Sequence, residues 1–305
     1  MELIFRLLVF SACFLLCAWA NKAPDLTKLK SFDSGEQVKW GINPPFVVKY
    51  SAGDSSLFYI AASHTNEPKS NTFTLIKEAI ALQKPQVIIL EGFEYSNGVS
   101  PDYIIASANQ YCVTNVSPKC NEILYTANYA KSLGIPFVGA EPDDRDMMRL
   151  MKDLGYNELD IFGYAFTVSI AGMYEQNIIA SLDDLEKEFR KNRRYYDMLT
   201  QNITYDQYYK WLSEKLGKPI TLNVLVDRYY ITSPDFSGNF FQKMSYNEIR
   251  IRDQNIINII NSMTQKYNRV LVLFGGGHYL TQRYVLNDLY GEPKILELKC
   301  ELKDK

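Results

Sequence analysis

The sequence carries no surplus of charge: its formal net charge is −2. Removing residues 1–20 leaves that value unchanged, because the segment holds one Glu and one Arg. A chain without a basic excess lacks the electrostatic footprint for nucleic acid or an anionic membrane surface. Cysteine is sparse, five residues in all, and no pair shows the C-x-x-C spacing of a structural zinc site. No apolar run is long enough to read as a membrane span, which needs roughly 20 residues. The stretch from Ile161 to Met173 is apolar, but its length, its glycines, Thr167 and Ser169 mark a core helix. The G-x-S-x-G elbow, the H-E-x-x-H helix, the phosphate-binding P-loop and the G-x-G-x-x-G fingerprint are all missing. No tandem repeat or low-complexity segment is visible. Histidine is scarce as well, with two residues in 305.

What is present begins with a leader-like segment. A short polar start (Glu2, Arg6) precedes an apolar run from Leu7 to Cys17, followed by Ala18-Trp19-Ala20. This reads as a secretory signal peptide cut after Ala20, which places the mature protein in the periplasm or outside the cell. Cys112, Cys120 and Cys300 then remain. In an oxidising compartment Cys112 and Cys120 could close a small loop and leave Cys300 over, or all three could stay as thiols. Asn115-Val116-Ser117 and Asn202-Ile203-Thr204 are formal glycosylation sequons.

About 285 mature residues fit one α/β domain, or one domain with an insertion. Residues 21–44 are a polar, irregular lead-in. Phe46 to Tyr50 and Leu57 to Ala62 are β-type runs around a turn-rich link, which predicts a hairpin. Ser70 or Asn71 can cap a helix that Pro85 stops. Val87-Ile88-Ile89-Leu90 is a continuous apolar run typical of strands buried on both faces. Ile123, Leu124, Ala127 and Ala130 mark another helix, and residues 136–140 another strand. Repeated strand–helix alternation predicts parallel βαβ units in a central sheet of five or six strands. From about 143 to 267 the chain reads as almost wholly helical. We take this block as an insertion capping the strand ends, with Ser245-Tyr246-Asn247-Glu248 as a capping box that opens its last helix. A strand at 270–274, a helix at 280–290 and a strand at 294–298 return the chain to the sheet.

Both histidines follow apolar strands: His64 after Leu57–Ala62, and His278 after Val270–Phe274 and three glycines. Ligands and chemistry gather at the carboxyl ends of strands in open α/β sheets, so one shared site is expected there. Glu91 follows four apolar residues, where partial burial would raise its pKa and suit it to proton transfer. The alternative for Glu91 is an ordering hydrogen bond to a loop amide. Glu141 ends the third strand of the parallel set and either joins the site or serves as the N-terminal carboxylate of the next helix. Gly275, Gly276 and Gly277 are expected to allow backbone conformations closed to other residues and to turn amides toward a bound anion. Arg145 and Arg252 are the candidate cations, although periodicity alone leaves Arg252 on a solvated face. Two imidazoles with one or two carboxylates suit a divalent metal ion (Mn, Co, Zn or Fe) with a position open to water. The same groups without metal suit general acid–base hydrolysis.

This order of residues resembles the superfamily that groups the TraB/PrgY and GumN proteins, the Tiki proteases, the erythromycin esterases and the haem-binding ChaN proteins. The members are similar in having a G-x-x-H after an early strand, a Glu after the next, and a second G-x-x-H late in the chain. Here these are Ala61-Ala62-Ser63-His64, Leu90-Glu91-Gly92 and Gly275-Gly276-Gly277-His278, with Asp144-Arg145 and Arg252-Asp253 matching two further steps. Ala61 departs from the first motif's glycine, and the helical block matches no single branch. The resemblance implies a hydrolase of ester or peptide bonds acting through His64, Glu91, His278 and Arg252. Arg145, Glu141, Gly276 and Gly277 would line the substrate in a cleft below the helical cap. It implies equally, from the ChaN branch, a binder of a haem-like or peptide ligand without turnover.

Overall fold

The computed structural model describes residues 22–31, 39–67, 69–95, 102–112, 120–191 and 198–297. Residues 1–20, expected above to be a signal peptide, Cys300 and the Asn115 sequon lie outside them. The described residues form two compact units. One holds the sheet and is built from residues flanking a second, which comprises Pro142–Arg252.

The sheet unit has six strands: β1 (Phe46–Ala52), β2 (Ser55–Ala62), β3 (Val87–Glu94), β4 (Phe137–Glu141), β5 (Arg269–Gly275) and β6 (Lys294–Leu296). Their spatial order is β4-β3-β5-β2-β1-β6. β1 and β2 form the expected antiparallel hairpin, and β6 runs antiparallel to β1. β2, β5, β3 and β4 are mutually parallel neighbours. The architecture is therefore α/β with a mixed, mainly parallel sheet. All four parallel strands deliver their carboxyl ends, and hence His64, Glu91, Glu141 and the 275–278 turn, to one edge.

Alternation along the strands divides the core between the two faces of the sheet. Tyr59, Ala61, Ile89, Val272 and Phe274 point to one face, where they meet Ile256, Ile257 and Ile260 and also Tyr279, Val285 and Leu286. Ile60, Ile88, Leu90, Leu271 and Leu273 point to the other, against Phe73, Ile76 and Ala79 together with Ala127 and Ala130. The helices supplying these residues are α1 (Asn71–Gln83), α3 (Glu122–Ser132), the C-terminal part of α10 (Phe240–Lys266) and α11 (Gly276–Tyr290). Burial on both faces is why the strands read as unbroken apolar runs. Between β3 and α3 lies α2 (Asp102–Tyr111), and a disulfide joins Cys112 to Cys120 with Cα atoms 5.1 Å apart. Closing so short a loop removes unfolded-chain entropy equivalent to about 2.5 kcal/mol.

The second unit is helical: α4 (Asp144–Asp153), α5 (Glu158–Glu175), α6 (Asp183–Lys191), α7 (Tyr205–Leu216), the short α8 (Leu222–Val226) and α9 (Arg228–Ile231), and the first half of α10. Its core centres on Phe162, Phe166, Phe189, Tyr208, Trp211 and Phe241. Gly163 lets the Trp211 ring lie against α5, since a Cβ there would stand 2.7 Å from the indole. Most of the apolar stretch Ile161–Met173 is buried within α5, with Ser169 exposed. Among the described residues no helix is long and apolar enough to cross a membrane.

Two local expectations are corrected. Ser245 does not cap a helix: α10 already runs from Phe240, and the buried Ser245 hydroxyl donates to the Thr232 carbonyl. Reciprocal capping boxes occur instead at Asn157/Asp160 and Thr204/Gln207. The late helix starts at Gly276 and not near 280, so His278 lies in its first turn. The helices of the block run on to Lys266, the end of α10, while the compact helical unit extends to Arg252.

Candidate functional site

At the carboxyl edge of the parallel strands, the sheet unit brings His64, Glu91 and His278 together. Glu91 sits where β3 departs from regular pairing. Leu90 pairs with Gly139 and Glu94 with Glu141, so Glu91, Gly92 and Phe93 oppose the single residue Ala140. Gly92, at φ +89°, takes the left-handed turn this irregularity needs. The Glu91 carboxylate lies at the N-terminus of α11, where Oε2 accepts the Gly275 amide at 2.6 Å. Partial positive charge at a helix N-terminus favours an anion there.

The two imidazoles face the two oxygens of this one carboxylate. His64 Nε2 is 3.8 Å from Glu91 Oε2, and His278 Nε2 is 3.5 Å from Glu91 Oε1. Each ring is held from behind through Nδ1. His64 Nδ1 lies 2.6 Å from Glu122 Oε1, and Glu122 Oε2 accepts the Thr65 amide at 3.2 Å. His278 Nδ1 lies 2.7 Å from Asp253 Oδ1. Asp253 also accepts Gln282 Nε2 at 2.6 Å and the Thr281 hydroxyl at 2.5 Å. Gln282 in turn accepts the Tyr59 hydroxyl at 3.2 Å. Burial pushes the Tyr59 phenol far above its ordinary pKa, so it stays a neutral donor and fixes which end of Gln282 faces Asp253.

Burial separates the two sides. Glu122 and Asp253 side chains are each 2% exposed, Glu91 is 11% and His278 10%, whereas His64 is 60% exposed. His64 is thus the member most open to an incoming molecule. Its pKa is raised, chiefly by the hydrogen bond to Glu122, with partial burial opposing. A group raised on folding stabilises the native state fully below its unfolded pKa, about 6.5, and loses that contribution as pH climbs through the folded value. Because the ring is more than half exposed, the effect stays below about 1 kcal/mol. Chelator-treated wild type should therefore exceed His64→Gln in thermal midpoint at about pH 5.5, and the gap should close by about pH 9. A gap that widens with pH would contradict this account.

Other expected residues fall differently. The glycines before His278 are not used for unusual backbone angles, since none of the three has positive φ. Gly275 and Gly276 are small for a different reason, close approach. A Cβ on Gly275 would stand 2.6 Å from His64 Nε2, and one on Gly276 would stand 2.1 Å from Pro44 Cγ. The Gly275 amide does point at an anion, but that anion is the chain's own Glu91. Glu141 is not the cap of the following helix; Asp143 is, accepting the Asp146 amide. The Glu141 carboxylate instead accepts the Gly92 amide at 3.4 Å, at the irregularity of β3. Arg145 and Arg252 belong to the helical unit. Arg145 is exposed in the first turn of α4, and Arg252 is half-buried on α10.

Sequence reasoning missed Glu122 and the role of Asp253. Glu122 follows the Asn121 cap of α3 and looks like any first-turn acid. Only the neighbouring cystine hinted that this helix start is fixed in place.

As it stands, no group of three or more His, Cys, Asp or Glu side chains among the described residues is arranged to hold a metal ion. The donor chemistry nevertheless fits one. The Nε2-to-oxygen separations are too long for good hydrogen bonds. They are close to the roughly 3.4 Å that separates two ligands of one tetrahedral ion at bonds of about 2.1 Å. Imidazoles backed by carboxylates through Nδ1 are also the usual outer shell of metal-bound histidines. No family model, curated protein or solved structure matches this chain.

Proposed function

We propose that the chain is an exported hydrolase of ester or peptide bonds, with His64, Glu91 and His278 as its working groups. The observation that supports this most is the pair of carboxylate-backed imidazoles converging on the two oxygens of Glu91. His64, Glu91 and His278 would hold a divalent cation, which when bound supplies Lewis acidity for polarising a carbonyl and acidifying water. Without the cation, Glu91, buried between the rings, takes the proton from the attacking water. In that case His64, exposed, made more basic by Glu122 and not engaged as a ligand, is placed in its protonated form to pass the Nε2 proton to the leaving group. His278, buried and held by Asp253, stays in position.

The test is elemental mass spectrometry of the purified, mildly dialysed protein beside the His64→Ala/His278→Ala double variant. The expected result is near-stoichiometric Mn, Co, Zn or Fe in the wild type that is lost in the variant, together with hydrolysis of an ester or peptide panel. Metal-free protein that hydrolyses the panel would leave acid–base catalysis by the same groups. A folded protein with neither metal nor turnover would end the hydrolase reading in favour of a stoichiometric ligand binder.

A further inference from the structure

We infer that Glu122 is the positioning residue of His64: it fixes the imidazole as the Nδ1–H tautomer and so leaves the Nε2 lone pair facing Glu91. The inference concerns the site proposed above but needs neither a metal nor a substrate to be true.

Glu122 has two carboxylate oxygens, and the structure commits each of them. Oε2 accepts from the Thr65 amide, a group that can only donate. Oε1 lies 2.6 Å from His64 Nδ1. An ionised carboxylate can only accept, so Nδ1 must carry the hydrogen and Nε2 is left bare in the neutral ring. Thr65 adjoins His64, so the carboxylate grips the strand end and the ring together. The grip is itself held: Glu122 is in the first turn of α3, its carbonyl accepts the Thr126 hydroxyl, and Cys120 two residues earlier is in the disulfide with Cys112. Asp253 plays the matching part at His278, where Thr281, Gln282 and Tyr59 complete the hydrogen-bond chain. A side chain 2% exposed, whose carboxylate oxygens meet a ring nitrogen and the adjoining amide, is placed for orientation and not for solubility.

Glu122→Gln makes a specific demand. The Thr65 amide still needs an acceptor, so the glutamine carbonyl must take that place and its NH2 must face His64 Nδ1. Nδ1 then has to accept, which moves the ring hydrogen to Nε2. With two histidines in the chain, long-range ¹⁵N–¹H correlation spectra can be read without ambiguity. They would be recorded on chelator-treated protein at about pH 9, above the ordinary imidazole range. The expected result is two Nδ1–H tautomers in the wild type. In Glu122→Gln, His64 should switch to Nε2–H while His278 stays unchanged. Zn(II) or Co(II) affinity should fall between 10-fold and 100-fold in the same variant, the usual effect of removing such a partner. A wild-type His64 that is Nε2–H, or that averages both tautomers, overturns the inference without any variant. A switch in tautomer with no metal bound by either protein upholds it and counts only against the metal-dependent reading.

Discussion

Glu91→Gln should lower kcat/KM for ester or peptide hydrolysis by about 10³-fold, within the range for loss of a general base, with stability changed by no more than about 1 kcal/mol. The substitution keeps the shape and changes one atom. Glu91 Oε2 accepts the Gly275 amide at 2.6 Å, so the glutamine carbonyl is drawn to that position. Its NH2 then occupies the place of Oε1, 3.5 Å from His278 Nε2. A donor replaces the acceptor that the chemistry uses, and the negative charge at the N-terminus of α11 is lost. Losing that charge costs a few tenths to about 1 kcal/mol, which removal of a buried charge partly offsets. Steady-state kinetics together with a thermal melt would check both halves. Activity within 10-fold of wild type would remove Glu91 from the mechanism. Lost activity together with a melt lowered by tens of degrees would show it to be structural.

Gly275→Ala should reduce turnover by about 10²-fold while leaving stability nearly unchanged, and Gly276→Ala should do the reverse. At Gly275 the backbone sits at φ −53° and ψ 143°, which alanine tolerates. The added methyl would stand 2.6 Å from His64 Nε2, 3.1 Å from His64 Cε1 and 3.4 Å from Glu91 Oε2. Its main obstacle is the end of an exposed ring that can swing away. Swinging relieves the clash and breaks the geometry, and displacements of about 1 Å at a reacting group cost on the order of 10²-fold. The gain of up to about 1 kcal/mol from stiffening the unfolded chain offsets residual crowding. At Gly276 the methyl would stand 2.1 Å from Pro44 Cγ, in a ring that cannot rotate aside. Overpacking of that kind costs about 1–3 kcal/mol. Kinetics and denaturant midpoints on the two variants would separate these effects. Equal losses of stability in both would refute the distinction.

Much of the sheet was legible because its strands are local and extreme. Val87–Leu90 and Val270–Phe274 are apolar without interruption, which few structures other than doubly buried strands require. The hairpin of β1 and β2 announced itself through Gly53-Asp54 between β-rich runs. The start of α10 was illegible for the complementary reason. Ser245-x-x-Glu248 has the local form of a cap, yet the hydroxyl has a distant partner in Thr232 and the helix begins a turn and a half earlier. Gly275 and Gly276 before His278 were read as a conformational device when they are a clearance device, because the groups they clear, His64 and Pro44, are 211 and 232 positions away in the chain.

The sequence by itself determined the α/β class, the main strands, and the placement of His64 and His278 just past strands, since each of these follows from composition and periodicity within a few residues; Glu91, expected after a strand, lies inside β3 at its irregularity. The tertiary structure alone decided that the three converge. Convergence depends on the order β4-β3-β5-β2, which sets β5 between the strand that carries Glu91 and the strand that precedes His64. It also decided which acids matter. Glu122 lies 58 positions from His64 and Asp253 lies 25 from His278. No local pattern marks Glu122, and the Arg252-Asp253 step gave Asp253 no role, because a buried carboxylate is stabilised by donors that arrive only when the chain has folded.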